Sequence, residues 1–230
     1  MDRKPIGFVA ILFCLCVAAC ATPASRTNTA ATFEWTSPAK RVVLMPADVE
    51  LGELTAGGLI EPRADWTEAA RGHISAHIAE TLRGKGVELV DSGNLSEHEG
   101  QLARLHNVVG NAILVHLYLP GFTLPNKGDA LDWTLGPGTN DLRNRLGADY
   151  ALFVFVRDSY STAGRQAMMV AGVLLGVYVP GGQQVGFASL VDLRNGDIVW
   201  FNRLISDTGD LRTEEPARRV VDNLIGELPI

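Results

Sequence analysis

Apolar positions along the chain follow two spacings, and each predicts a different element. Two short apolar runs bounded by turn residues are typical of buried strands, residues 42–45 and 150–156, and residues 87–90 are predicted to form a further strand. Three longer stretches repeat apolar residues every three or four positions and predict helices with one buried face: residues 66–82, 102–117 and 217–228. A shorter helix is expected over residues 139–146. The glycine-rich and proline-containing residues 48–64 are interpreted as a long connection.

Turn and cap residues mark where these elements begin and end. Asp65 is expected to cap the first long helix, with Glu68 three residues later. Ser96 and Glu99 have the spacing of a capping box at the start of the second. The dipeptide Asn195-Gly196 lies between two apolar runs and predicts a hairpin with a type I′ turn, because both residue types tolerate positive φ.

The order of elements predicts the fold class. It reads strand, helix, strand, helix, helix, strand, hairpin and helix. This order predicts a single compact α/β domain over residues 41–230. Its mixed sheet has flanking helices, parallel pairs early in the chain and an antiparallel hairpin in the C-terminal half.

Residues 1–19 are predicted to be a secretory signal peptide. Arg3 and Lys4 precede fourteen uncharged residues from Ile6 to Ala19, and Cys20 follows. A basic start, an apolar stretch of ~7–15 residues and a small-residue cleavage site are typical of export signals. The stretch is shorter than the ~20 residues that a membrane-spanning helix needs.

The end of this signal, Val17-Ala18-Ala19-Cys20, resembles a bacterial lipobox. The resemblance implies that the chain is cut before Cys20, which then carries a diacylglyceryl thioether and an acylated N-terminus. An ordinary signal peptide with a chance cysteine is the alternative. An Asp directly after the lipobox cysteine would resemble an inner-membrane retention signal, but this chain has Ala21 at that position. The expected localisation is therefore the periplasmic face of the outer membrane, held by lipid.

Residues 20–40 are interpreted as the lipidated cysteine and a flexible tether, because they are rich in Ala, Thr, Ser, Pro and Asn. Phe33 and Trp35 interrupt this composition, and docking on the domain is one option for them. Cys14 and Cys16 are removed with the signal. The mature chain is therefore expected to have no disulfide and no free thiol for catalysis or metal binding.

The charge balance excludes two classes of partner. The chain has 230 residues and a formal net charge of −6, which becomes −7 when Asp2, Arg3 and Lys4 leave with the signal. An acidic chain lacks the basic face that a nucleic-acid binder needs to neutralise phosphates. It also lacks a polybasic attraction to anionic lipid, so the lipid on Cys20 is the expected membrane anchor.

Two stretches carry a family resemblance. Residues 141–152, which include Gly147-Ala148-Asp149, and residues 188–200, which include Asn195-Gly196, resemble successive steps of small outer-membrane lipoproteins. This group includes the curli secretion lipoprotein CsgG and the N-terminal domain of TolB. The resemblance covers most of residues 41–230 and departs at residues 165–184. It implies a compact α/β domain that serves as a periplasmic adaptor or assembly factor, with no catalytic residue to carry over.

No cofactor, metal or catalytic residue is expected. His73, His77 and Glu80 share one helix face and have donor atoms that zinc accepts. Because the three residues lie beside the apolar stripe, we interpret them as a solvated flank of the helix. The chain also lacks a nucleophile elbow, a phosphate-binding loop and a dinucleotide-binding fingerprint.

Residues 166–191 form the most unusual segment of the chain, because they contain no charged residue. We expect this segment to be core, since apolar runs are usually buried. An interface with another subunit or with a membrane is the alternative. Gly172 and Gly176, four residues apart, would let another helix approach closely. The candidate interaction residues are Met168, Val170, Gly172, Leu174, Leu175 and Gly176.

These observations predict a lipid-anchored, non-enzymatic binding or assembly factor of the cell envelope, with envelope proteins as partners. An oligomeric subunit of a secretion or export assembly is the alternative, and an envelope hydrolase with an unrecognised site is a third. The partner, the oligomeric state and the process served are not specified by the residues.

Overall fold

The computed structural model describes residues 24–31, 33–35, 40–206 and 210–229. Within these residues the chain forms eight strands: β1 (Ala24–Thr29), β2 (Arg41–Leu44), β3 (Asp48–Leu54), β4 (Ile60–Pro62), β5 (Glu88–Asp91), β6 (Tyr150–Ser161), β7 (Gln184–Asp192) and β8 (Ile198–Ser206). It forms five helices: α1 (Ala64–Gly84), α2 (Glu97–Tyr118), α3 (Thr139–Leu146), α4 (Ala163–Leu174) and α5 (Glu214–Ile225).

The strands make one mixed sheet in the order β1-β8-β7-β6-β2-β5. Strands β2 and β3 run parallel to β6, and β5 runs parallel to β2, whereas β1, β7 and β8 pair antiparallel with their neighbours. The predicted α/β class, with parallel pairs early and an antiparallel hairpin late, is confirmed.

Strand β6 is long enough to pair with two strands along one edge. Its first residues pair with β2, and the stretch from Phe155 to Ser161 pairs with β3. Pro46 lies between β2 and β3, where its missing N–H interrupts the ladder. The interpretation of residues 48–64 as a connection is therefore wrong, since they contain β3 and β4. The glycine at position 52 serves packing rather than a turn, because a Cβ there would lie 2.3 Å from Ile60 Cγ2.

Helices cover both faces of the sheet. Helices α1 and α5 pack on one face, where Ile74, Leu82 and Val221 join the fully buried Trp200. Helices α2 and α3 cover the other face through Ile113 and Leu142. Strand β6 contributes alternate side chains to both clusters, as expected for a strand covered on both sides.

The expected tether forms ordered structure over part of its length. Strand β1 pairs with β8 along its whole length, from Ala24 opposite Ile205 to Thr29 opposite Trp200. The sequence did not predict β1, because an edge strand can consist of polar residues and then shows no alternation of apolar and polar positions. Trp35 packs on the domain, with its ring 4.7 Å from that of Tyr150.

Two of the local predictions need correction. The capping box of Ser96 and Glu99 is confirmed. Helix α1, however, begins at Ala64 after Arg63, and the Asp65 carboxylate accepts hydrogen bonds from the Arg63 guanidinium instead of capping the helix.

The predicted hairpin between β7 and β8 also forms, but its turn is not type I′. Among the described residues only glycines have positive φ, so Gly196 (86°) adopts it and Asn195 does not.

Candidate interaction surface

One end of the sheet carries the segment that the sequence singles out. Strand β6 ends at Ser161, and the chain then forms α4 and a loop before it returns as β7. We call residues 163–183 the α4 segment. The β3–β4 turn lies at the same end, because Leu54 pairs with Ser161.

The α4 segment exposes most of its apolar side chains. Leu174 is 82% exposed and Tyr178 is 85% exposed. The exposed set comprises Met168, Val170, Val173, Leu174, Leu175, Val177 and Tyr178. Soluble monomers rarely leave so many neighbouring apolar residues in water, so this surface indicates a contact with something else.

The expectation that residues 166–191 are core is therefore wrong for the first part of the run. Residues 184–191 do form the buried strand β7, in which Phe187, Ala188 and Leu190 are fully buried. The absence of charge is common to both parts. An uncharged run identifies residues that avoid water, but it does not specify whether the domain or a partner covers them.

Helix α4 touches the domain through a narrow stripe. Arg165 and Gly172 are its buried residues, and Met169, between them in sequence, is half-buried. The Arg165 guanidinium donates from Nε and Nη2 to the Pro180 carbonyl, at 3.0 and 2.8 Å, and from Nη1 to the Ala56 carbonyl at 3.3 Å. This one side chain thus ties the helix to its own loop and to the β3–β4 turn.

Gly172 and Gly176 do not form a face for a second helix. A Cβ at Gly172 would lie 2.7 Å from the Val177 carbonyl oxygen, so this position is filled by the segment's own loop. Gly176 follows the helix with a φ of 70°. The Val177 N–H donates to the Gly172 carbonyl and the Gly176 N–H to that of Val173, which closes the helix in a Schellman motif. The space at Gly172 that the alternative interpretation left for a second helix is thus occupied by the segment's own loop.

The β3–β4 hairpin adds two exposed apolar residues that were not among the candidate interaction residues. Leu59 is 70% exposed and Ile60 is 59% exposed. The hairpin lies beside α4, because the Ala56 carbonyl accepts from Arg165. The sequence signal for this hairpin is the apolar pair Leu59-Ile60 directly after Gly57-Gly58. It was missed because residues 48–64 were interpreted as a connection.

A cleft of about 500 Å³ lies between the hairpin and the α4 segment. Its charged side chains already have partners. Arg157 pairs with Asp48 at 2.8 Å and with Glu50 at 3.4 Å. The apolar part of the lining comprises Leu54, Ile60, Pro180 and Val185, and its remaining polar residues are Asp158, Ser159, Arg165 and Gln183.

A buried hydrogen-bond network lies at the edge of this cleft. The Asp158 carboxylate accepts from the Tyr160 hydroxyl at 2.5 Å and from Gln184 Nε2 at 2.7 Å. The Tyr160 oxygen in turn accepts from the Leu211 N–H, which ties β6 to the chain before α5. Burial raises the pKa of Asp158 to about 6 and also raises the pKa of Tyr160.

The raised pKa of Asp158 predicts a pH effect on stability. The folded state favours the protonated carboxyl, so this group's favourable contribution is present at pH 4 and is lost as the pH rises through 6. A shift from 3.8 to about 6 corresponds to about 3 kcal/mol. Between pH 4 and 7, wild type should lose about that much stability relative to Asp158→Asn in urea unfolding. Parallel pH curves for the two proteins would contradict the assignment.

The three helix residues that we interpreted as a solvated flank rather than a zinc site have other surroundings. His77 is buried at the contact of α1 with α5, rather than on a solvated flank, and its ring nitrogens lie 3.5 Å from Glu80 and 4.0 Å from Glu214. His73 is half-buried. Within the described ranges, no three His, Cys, Asp or Glu side chains group as metal ligands.

Cys20 and residues 1–19 lie outside the described residues. The signal peptide and the lipid attachment therefore remain predictions. In the part of the chain that the structure describes, no helix has both the length and the apolar character needed to cross a membrane.

Comparisons with known proteins assign no family. No family model matches the chain, and no curated protein matches it. Among solved structures, the PelC dodecamer from Paraburkholderia phytofirmans is 14% identical, with a TM-score of 0.40 over 90% of this chain and 94% of that one. The LpoB C-terminal domain from Salmonella enterica is 16% identical, with a TM-score of 0.25 over 75% of this chain and 87% of that one. At these TM-scores neither likeness assigns a family or a function.

Proposed function

We propose that this chain is a lipid-anchored protein of the bacterial cell envelope that acts as a non-enzymatic binding or assembly factor. In this proposal the signal is removed before Cys20, and acyl chains on that residue hold the domain at the periplasmic face of the outer membrane. Several acyl chains on one residue suffice for stable anchoring.

The observation that carries the proposal is the exposed apolar surface of the α4 segment. Seven of its side chains face solvent in the isolated domain, although burying a single Leu side chain contributes about 1.5–3 kcal/mol. The charged groups of the nearby cleft already have partners within the domain. The domain is thus better equipped to make an apolar contact than to carry out a reaction.

Cell fractionation tests the anchor. We expect the wild-type protein to be recovered with membranes. We expect the Cys20→Ala precursor to keep its signal peptide, because the lipoprotein pathway cannot process it. Cys16→Ala is the matched control, because it changes a cysteine in the apolar stretch of the signal and leaves the cleavage site intact. Identical processing of all three proteins would contradict the proposal.

A further inference from the structure

The register of the sheet places the first described residue at the same end as the α4 segment. Ala24 on β1 lies opposite Ile205 on β8, which lies opposite Val185 on β7. Val185 in turn lies opposite Arg157 on β6, four residues before β6 ends. The N-terminus of β1 and the start of α4 therefore leave the sheet at one end.

Chain length keeps Cys20 close to this end. Cys20 precedes Ala24 by four residues, which span at most ~14 Å when fully extended. Strands β1 and β6 are three strands apart in the sheet, which corresponds to ~14 Å at the usual spacing. Acyl chains on Cys20 would thus bring a bilayer to the end of the sheet that carries α4.

The two ends of the sheet differ in charge. No charged residue occurs in residues 166–183, and the single charge of α4, that of Arg165, is turned inward to the Pro180 and Ala56 carbonyls. The opposite end carries the β7–β8 turn, where Arg194 pairs with Asp192. The α4 segment can therefore enter an apolar phase without desolvating a charge of its own, whereas the charges at its end of the sheet lie on the β3–β4 hairpin, at Glu53 and Glu61.

The side chains of the α4 segment suit the boundary between lipid headgroups and acyl chains. A helix of twelve residues is too short to cross a bilayer but long enough to lie along its surface. Tyr178, next to this helix and 85% exposed, has the amphipathic ring that is enriched at membrane interfaces. The acidic charge of the mature chain gives no attraction to anionic headgroups, so insertion must rest on apolar contact.

We propose that the α4 segment inserts its exposed apolar side chains into the same lipid leaflet that holds the acyl chains of Cys20. The domain then rests on the membrane with its sheet end-on, and the β7–β8 turn points away from the bilayer. This inference rests on the proposed lipid anchor. It adds a second contact with the membrane, made by the folded domain itself.

Site-specific fluorescence in vesicles tests the insertion. The thiol of acylated Cys20 is blocked, so an introduced cysteine is the one free thiol of the mature chain. The acylated mature protein, which begins at Cys20, is labelled with an environment-sensitive dye at Leu174→Cys or at Tyr178→Cys and is incorporated into phosphatidylcholine vesicles. Asn144→Cys is the control, because Asn144 is exposed on α3, beside the β7–β8 turn at the opposite end.

We expect a blue shift at positions 174 and 178, with about half or more of the emission quenched by nitroxide-labelled acyl chains, and no quenching at position 144. Emission at 174 and 178 that matches position 144 would overturn the inference. A second result would also overturn the inference: a blue shift that lipid nitroxides do not quench and that disappears when the protein is diluted among vesicles. That result would show that a second copy of the protein, rather than lipid, covers the segment. Flotation of the vesicles separates the two proposals. Protein that does not float with the vesicles would overturn both the anchor and the inference. Protein that floats but is not quenched at positions 174 and 178 would overturn the inference alone.

Discussion

Leu174→Asp should leave the domain folded, with a melting temperature close to that of wild type. Leu174 is 82% exposed, so an aspartate there stays in water and makes no unpaired buried charge. Surface substitutions of this kind change the free energy of unfolding by about 0.5 kcal/mol or less. Thermal unfolding of the chain without its signal and lipid, followed by circular dichroism, measures the effect.

Leu190→Asp is the matched control within the same uncharged run. Leu190 is fully buried on β7, and its side chain belongs to the core cluster on the face of the sheet that α1 covers. An unpaired charge at this position should destabilise the domain by more than about 4 kcal/mol and unfold it. Equal loss of structure in both variants would show that Leu174 belongs to the core after all.

Arg165→Ala should release the α4 segment while leaving the sheet intact. The substitution removes three hydrogen bonds from a charged donor to the Pro180 and Ala56 carbonyls. Losing such bonds costs about 2 kcal/mol, which corresponds to a roughly thirtyfold increase in local opening. Protease cleavage within residues 163–183 should accelerate by about that factor, and the circular dichroism spectrum should change little.

Arg219→Ala is the control for a general effect of removing an arginine. Arg219 lies on α5, is exposed, and makes one ion pair with Glu215, so its loss should change cleavage in residues 163–183 very little. Arg165→Lys should fall between the two, because an ammonium keeps the charge but cannot reproduce the fork of the guanidinium. Unchanged cleavage in Arg165→Ala would contradict the role given to Arg165.

Local signals predicted the elements that depend on local physics. The capping box at Ser96 and the hairpin around Gly196 use side chains and backbone angles that neighbouring residues determine. The α/β class follows from the order of such elements. Strand β1 was missed because its pairing partner, β8, lies far away in the sequence and decides its conformation.

The candidate surface was selected from the sequence but assigned the wrong environment. Residues 166–191 stand out because they lack charge, and this property is shared by the buried β7 and the exposed α4 segment. Tertiary contacts separate the two parts. Strand β7 has a strand on each side, whereas α4 contacts the β3–β4 turn through Arg165 and the end of β6 through Met169. The role of Arg165 could not be predicted, because its acceptors at positions 56 and 180 are close only in the folded chain.

The proposed orientation of the domain on the membrane depends on acylation of Cys20, and the mass of the mature N-terminal peptide tests this step most directly. The lipobox predicts a peptide that begins at Cys20 and carries a diacylglyceryl thioether and an acylated amine. Alkaline hydrolysis should remove the ester-linked acyl chains and leave the amide-linked one. An unmodified N-terminus at Ala21 or beyond would contradict the anchor and, with it, the end-on placement of the α4 segment on the bilayer.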